Sequence, residues 1–127
     1  MGDYTVKRFD EMHARKGGAF KLARASLGVT SFGMQIIVMA PNSGELYPNH
    51  DHLHDGQEEV YVVLEGGGAM TIDGQRVALA PDMAVRVGPG CKRQLLPGDE
   101  GMRVLIVGGV PGRPYEAPEF TEPKRSG

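Results

Sequence analysis

Residues 58–80 read "EEVYVVLEGGGAMTIDGQRVALA" and carry the main signals for the fold. The run 60–64 is apolar at every position, which predicts a strand that is buried on both faces near the centre of a sheet. Farther along, Asp73-Gly74 separates two short runs, 70–72 and 76–79. Asp-Gly favours a type I′ turn because both central residues need positive φ, so this stretch predicts a β-hairpin.

Similar short runs recur along the chain and are separated by turns rich in glycine and proline. The 19 glycines are about twice the average share, and the nine prolines add further turn positions. Runs and breaks at this spacing predict an all-β sandwich or barrel. The predicted strands are 21–27, 32–40, 45–52, 59–64, 69–72, 76–79, 84–87, 92–96 and 102–107.

The two ends of the chain differ from this pattern. Residues 9–16 are compatible with one or two helical turns. Residues 111–127 contain four prolines and show no periodicity, which predicts an extended arm over the surface or a partly disordered tail. With 127 residues in total, we expect one domain over 1–110, with its core at about 32–107, followed by the Pro-rich tail 111–127.

Composition argues against several classes of partner. The formal charge is −2 and no run of five or six like charges occurs, so we expect neither a nucleic-acid partner nor a basic membrane-facing helix. No apolar stretch approaches the roughly 18 residues of a membrane span, and the first residues lack a signal-peptide pattern, so we expect a cytoplasmic protein. The single cysteine, Cys91, cannot form a disulfide within the chain. A small-molecule ligand and a second copy of the chain are the expected partners.

Three of the four histidines lie within five residues, His50, His52 and His54. On a strand their side chains would share one face, about 7 Å apart. Glu59 begins the following central strand, so its carboxylate could converge on the same space. Two imidazoles and a carboxylate are a ligand set for Fe, Mn, Ni or Zn. The alternative is a solvated polar loop without a metal.

At this point the sequence resembles the small single-domain cupins, whose first motif has a glycine, five residues, His-x-His, three or four residues, Glu, six residues and glycine. Gly44, His50 and His52 match its beginning, and Glu59 and Gly66 match its end. Six residues, rather than three or four, separate His52 from Glu59. Either His50 and His52 are the ligands and the loop is longer, which we favour, or His52 and His54 are the ligands and Gly44 is displaced. The resemblance implies an all-β double-stranded β-helix, or jelly-roll barrel.

The second cupin motif is recognisable but lacks its metal-binding histidine. Gly74 begins it, and Pro89-Gly90 reproduces its last turn. Arg93 then occupies the histidine position of the family. A guanidinium offers only donors and stays protonated, so Arg93 cannot bind a metal directly.

Three hypotheses follow for function. In the first, His50, His52 and Glu59, with His54 as a spare ligand, hold a divalent metal, and the resemblance allows an oxygenase or an isomerase. Arg93 would then bind the carboxylate of a substrate, and Tyr61 would offer it a phenol. In the second, the barrel is a metal-free binding or sensor module in which Arg93 recognises an acidic ligand or pairs with Glu59. In the third, Cys91 is a nucleophile activated by neighbouring positive charge. A jelly roll has edges that a partner commonly covers, so we expect a homodimer.

Overall fold

The computed structural model describes residues 2–123, which fold as an all-β jelly-roll barrel. The described chain contains one short helix, α1, and four single turns of 3₁₀ helix. The strands are β1 (Ala14–Arg15), β2 (Phe20–Lys21), β3 (Gly33–Met39), β4 (Glu58–Ile72), β5 (Gln75–Leu79), β6 (Ala84–Val87) and β7 (Arg93–Gly109). Helix α1 is Ala23–Leu27, and the 3₁₀ turns are Phe9–Glu11, Lys16–Gly18, Gly44–Leu46 and Glu119–Thr121.

Two long strands, β4 and β7, form the centre of the barrel. All pairings in the described sheet are antiparallel, and the strands follow the order β1-β2-β3-β7-β4-β5. The first half of β4 also pairs with β6. The predicted central strand at 60–64 therefore lies where the sequence placed it.

The predicted hairpin is confirmed. Asp73 and Gly74 have φ of 49° and 82°, and Ile72 is the register partner of Gln75. Both central turn residues therefore have the positive φ that a type I′ turn needs.

Two breaks that the sequence suggested are bends within continuous strands. The register of β4 against β7 shifts between Val63 and Glu65 and again between Gly66 and Gly68, which marks β-bulges. At Gly66, φ is +72° and a Cβ would lie 2.2 Å from the carbonyl oxygen of Gly101. The glycines therefore let the two backbones approach and bend together, so 59–64 and 69–72 form one strand, as do 92–96 and 102–107.

The predictions of strands at 21–27 and 45–52 were wrong. Residues Ala23–Leu27 are helical because alanine, arginine and leucine are good helix formers, and the N–H of Gly28 closes the last turn on the carbonyls of Arg24 and Ala25. In 45–52 only His50 forms a β-bridge. Pro48, which has no N–H to donate, interrupts any ladder there.

The ends of the chain are only partly as predicted. Residues 9–16 contain one 3₁₀ turn, Phe9–Glu11, followed by the short strand β1. Of the predicted tail, residues up to 123 are described, and they run over the barrel with a 3₁₀ turn at Glu119–Thr121. The prediction for residues 124–127 lies outside the described residues.

The hydrophobic core lies inside the barrel. The largest cluster of buried apolar side chains comprises Phe20, Ile37, Met39, Tyr47, Tyr61, Val63, Met70, Leu79, Val87, Leu95, Met102, Val104 and Ile106.

No helix in the described part of the chain is long and apolar enough to cross a membrane.

The close approach of β4 and β7 can be tested with two glycine substitutions. Gly66→Ala and Gly74→Ala both place a side chain at positive φ, at a cost of about 1–2 kcal/mol. Only at Gly66 would the new methyl also overlap a backbone, whereas at Gly74 it meets nothing within 4 Å. We expect Gly66→Ala to lower the free energy of unfolding in urea clearly more than Gly74→Ala. Equal losses would contradict the proposed reason for the bend.

Candidate metal centre

Backbone hydrogen bonds hold the two central histidines beside the start of β7. The N–H of His50 donates to the carbonyl of Arg93 at 3.0 Å, and the N–H of Arg93 donates back at 2.8 Å. The N–H of His52 donates to the carbonyl of Pro89 at 2.9 Å. After His52 the chain turns, because the N–H of Gly56 donates to the His52 carbonyl at 2.7 Å. These backbone hydrogen bonds fix the main chain at both histidines, and with it the points from which the two imidazoles project.

The structure brings together His50, His52 and Glu59. One ligand atom from each lies within 4.8 Å of the other two. Asp51 separates the two histidines, so the alternation that predicted a shared face holds up to His52. The turn then carries His54 outward: its side chain is 77% exposed and its Nε2 lies 3.6 Å from a carboxylate oxygen of Asp55. The geometry therefore corresponds to the register with His50 and His52, and it does not bring His54 into the cluster.

Both imidazoles are oriented by an oxygen acceptor behind them. Nδ1 of His50 lies 2.9 Å from the Pro48 carbonyl, and Nδ1 of His52 lies 3.0 Å from Oδ1 of Asp55. A carbonyl or carboxylate oxygen can only accept, so each Nδ1 carries the hydrogen and donates it. In a neutral imidazole this leaves the Nε2 lone pair free, which is the arrangement of metal-binding histidines in proteins.

Nε2 of His52 is the most informative atom of the site. It is buried and has no hydrogen-bond partner among the described residues, although Oε1 of Glu59 lies 3.3 Å away. A lone pair that faces a carboxylate is unfavourable unless a positive charge lies between them. The residues therefore fit a cation at this point, either a proton or a metal ion.

A network of donors holds the Glu59 carboxylate. Arg93 donates from Nη1 to Oε1 at 2.8 Å, and the Tyr61 hydroxyl donates to the same oxygen at 2.9 Å. Since Tyr61 has only one hydroxyl hydrogen, Tyr47 is the donor in the 2.5 Å hydrogen bond between the two phenols. Glu59 is therefore positioned by an arginine and by a chain of two tyrosines.

Arg93 is completely buried, and all three nitrogens of its guanidinium donate hydrogen bonds to protein acceptors. Besides Glu59, it donates from Nε to the Cys91 carbonyl at 3.0 Å and from Nη2 to the Gly88 carbonyl at 2.5 Å. Tyr61 is also fully buried. Neither side chain borders the cavity described below, and their contact with a substrate stays a prediction.

Comparison with known proteins identifies the family of this chain. The family model described as "Cupin domain" matches residues 36–108, which is more than half of the chain. The chain belongs to the cupin family. The match covers β3 to β7 and includes all three residues of the cluster, so the predicted family resemblance is confirmed.

Solved structures similar to this cupin share its fold. A cupin protein from Bacteroides fragilis is 24% identical, with 99% of each chain covered and a TM-score of 0.69. KdgF from Halomonas sp. is 10% identical, with 94% of this cupin and 99% of KdgF covered and a TM-score of 0.67. The iron(II) form of HppE is 12% identical, with 61% of this cupin and 42% of HppE covered and a TM-score of 0.53. No curated protein sequence matches this cupin. At these identities the likeness shows the fold alone.

Burial and charge shift the pKa values of the site in opposite directions. Burial lowers the pKa of His50. Burial also acts to lower the pKa of His52, but the adjacent carboxylates of Glu59 and Asp55 outweigh it and the net pKa is raised. For Glu59, burial acts to raise the pKa, but the adjacent His52, the hydrogen bond from Tyr61 and the charge of Arg93 reverse this, so its pKa is lowered. Glu59 is therefore an anion at neutral pH, as a metal ligand must be.

The cluster of this cupin opens into a cavity of about 340 Å³. One end is polar and contains the histidines, Glu59 and Asp55. The other end is largely apolar and is completed by the described part of the tail. The lining residues are Lys16, Phe20, Arg24, Gly33, Met34, Gln35, Tyr47, Pro48, His50, His52, His54, Asp55, Gln57, Glu59, Ile106, Gly108, Tyr115, Pro118, Phe120 and Thr121.

Sequence reasoning missed several of these residues. Asp55 was assigned only to a turn, although it orients His52 and also accepts hydrogen bonds from the backbone and side chain of Gln57. A carboxylate three residues after a candidate ligand was a signal for this role. Nothing in the sequence indicated that Tyr47 or the tail would line the cavity. Cys91 is half-buried and packs against the core, and its nucleophilic role stays a prediction.

The buried ion pair of Glu59 and Arg93 can be tested by removing the cation. Arg93→Met leaves the Glu59 charge buried without compensation, so we expect it to lower the free energy of unfolding by about 3–5 kcal/mol. Arg86→Met is the matched control, since the Arg86–Glu58 pair is exposed and is worth about 1 kcal/mol at most. Urea unfolding of both variants gives the comparison. A loss for Arg93→Met no greater than that for Arg86→Met would contradict the assigned role.

Proposed function

We propose that this cupin binds one divalent metal ion through His50, His52 and Glu59 and uses it to bind a small anionic molecule. The observation that carries the proposal is the orientation of the two imidazoles. Each donates from Nδ1 to an oxygen, and Nε2 of His52 is buried beside a carboxylate without a hydrogen-bond partner. Iron, manganese, nickel and zinc all accept such a ligand set, so the residues do not distinguish among them.

The charges around the cluster support an anionic ligand. Glu59 and Asp55 each contribute one negative charge, Arg93 contributes one positive charge, and both histidines are neutral as ligands. A divalent ion would therefore leave a net charge of plus one at the cluster. In a site shielded from water such a charge attracts an anion strongly.

Three protein ligands would leave coordination positions open, as in catalytic metal sites. Bound there, the metal would supply a Lewis acid or a site for dioxygen, which is the basis for proposing an isomerase or an oxygenase. This chain's own residues would orient the metal ligands and exclude water. HppE was solved with iron(II), but the likeness is one of fold, so we carry over no metal and no reaction from it.

The alternative function is a metal-free binding or sensor module. The observation that favours it is the 2.8 Å pair between Arg93 and Glu59, which neutralises the carboxylate without a metal. In that case His52 would carry the positive charge as a proton, and the ligand would be an anion held by the histidines.

Other features of the molecule are part of the same proposal. We propose a homodimer located in the cytoplasm, with a single domain over 1–110 and the tail at 111–127. Size-exclusion chromatography with light scattering would test the oligomeric state.

Metal binding can be tested with a pair of histidine variants. We expect about one metal ion per chain in protein purified without a histidine tag, or after chelation and reloading with iron, manganese, nickel or zinc, measured by plasma mass spectrometry. His52→Ala removes a ligand and should lose most of the metal. His54→Ala, whose side chain is 77% exposed, should retain it. Wild-type protein that stays metal-free after reloading but still binds small anions would favour the metal-free module.

The role of Asp55 gives a second test. Asp55→Asn removes the charge behind His52, and losing such a partner typically weakens metal binding about 10- to 100-fold. Asp51→Asn is the matched control, because the Asp51 carboxylate accepts a hydrogen bond from the Leu53 N–H and none from the imidazoles of His50 and His52. Competition with a fluorescent chelator would measure both affinities. Unchanged affinity in Asp55→Asn would show that the contact between Asp55 and His52 does not tune the site.

A further inference from the structure

The lining of the cavity is rich in aromatic side chains. The chain contains four phenylalanines and four tyrosines, and half of these eight line this one cavity: Phe20, Tyr47, Tyr115 and Phe120. Tyr47 lies beside the cluster, with its ring centroid 5.2 Å from that of His50. Phe20 is buried, whereas Phe120 remains 46% exposed. The apolar end therefore presents ring surface that a ligand could cover.

Two of these rings belong to residues 115–121, which we call the C-terminal wall. It packs closely against the barrel: the rings of Phe20 and Phe120 meet edge to face, with centroids 6.1 Å apart. At Gly33, a Cβ would lie only 2.7 Å from the hydroxyl of Tyr115, so the absence of a side chain there makes room for Tyr115. The wall is thus fitted to the barrel and forms one side of the cavity.

Polar contacts to the N-terminal part of the chain hold the wall in place. Arg15 donates from Nε to the Phe120 carbonyl at 2.6 Å and from Nη2 to the Glu122 carbonyl at 2.7 Å. Arg24 pairs with the carboxylate of Glu122 and also donates to the Val29 carbonyl at 3.0 Å. The contacts of Arg15 and Arg24 with residues 120–122 link segments about a hundred residues apart in the sequence, so a distant part of the chain holds the wall.

The two cations that line the rest of the cavity already have partners. The Glu122 carboxylate compensates the charge of Arg24, although the buried Nε of Arg24 has no hydrogen-bond partner among the described residues. Lys16 donates to the Leu46 carbonyl at 2.9 Å, and its Nζ lies 4.9 Å from the centre of the Phe20 ring. A ligand carboxylate would therefore find its uncompensated partner at the histidine end. The cavity thus offers a place for one anionic group at one end and for an apolar body at the other.

We propose that the C-terminal wall is the apolar half of the ligand site and that it selects a small carboxylate with a flat aromatic body. The inference deepens the proposed function and rests on it for the position of the carboxylate. A cavity of about 340 Å³ lies at the lower end of the range for small-molecule pockets, which suits a single ring with its acid group. Edge-to-face and offset contacts with the surrounding rings would favour an aromatic body over an aliphatic one.

The test uses benzoate and acetate as probes, on zinc-loaded and on metal-free protein, with calorimetry as the readout. We expect zinc-loaded wild-type protein to bind benzoate at least about tenfold more tightly than acetate, because the ring buries apolar surface. Phe120→Ala removes one ring of the wall and should weaken benzoate about tenfold while leaving acetate unchanged. Phe32→Ala is the matched control, since Phe32 is 39% exposed and lies outside the cavity lining.

The outcomes separate this inference from the proposed function. Benzoate binding that is equally strong to metal-free protein and is weakened by Phe120→Ala would support the wall and contradict the role of the metal. Equal benzoate affinity in Phe120→Ala and Phe32→Ala, or no benzoate binding in either form of the wild type, would overturn the inference. If Phe120→Ala does not fold, Tyr115→Ala tests the same wall, with the same loss expected for benzoate.

Discussion

The ion pair between Glu59 and Arg93 joins the fold of this cupin to its candidate site. Glu59 is the second residue of β4 and Arg93 is the first residue of β7, the two strands on which the rest of the sheet is built. A fully buried guanidinium is tolerated only where its charge and its N–H groups find partners. The same arginine exchanges two backbone hydrogen bonds with His50. Arg93 therefore fixes the start of β7, the start of β4 and His50 relative to one another.

Local chemistry made part of the fold predictable. Asp73-Gly74 needs only its own backbone preferences to form a turn, and 60–64 needs only its apolar composition to be central. The glycines at 66–68 carry an ambiguous signal, because glycine can end a strand or let it bend. Which outcome occurs depends on the backbone of Gly101, which lies beside Gly66 on the paired strand β7. Contacts between distant segments of this kind leave no mark in the local sequence pattern.

The candidate site, like the fold, could be predicted only in part from the sequence. Its histidines and Glu59 could be found from residue type and spacing, since a turn and two adjoining extended segments bring them together. The choice between the pair His50 and His52 and the pair His52 and His54 could not be settled in that way. It depends on the turn that the Gly56 N–H closes after His52. Tyr47 reaches Glu59 only through Tyr61, and the wall is held by arginines near the other end of the chain. Neither arrangement has a periodicity that a single sequence displays.

The exchange of histidine for arginine at residue 93 changes two properties of the site together. It removes one neutral ligand, which would leave a further coordination position for an exogenous group. It also adds one positive charge behind Glu59, so that a bound divalent ion would leave the cluster with a net charge of plus one, where a third histidine as the fourth ligand would leave it neutral. An open position and an uncompensated positive charge both favour a ligand that brings its own negative oxygen. The departure from the family pattern is thus consistent with a site in which an anionic ligand, rather than the protein, completes the coordination.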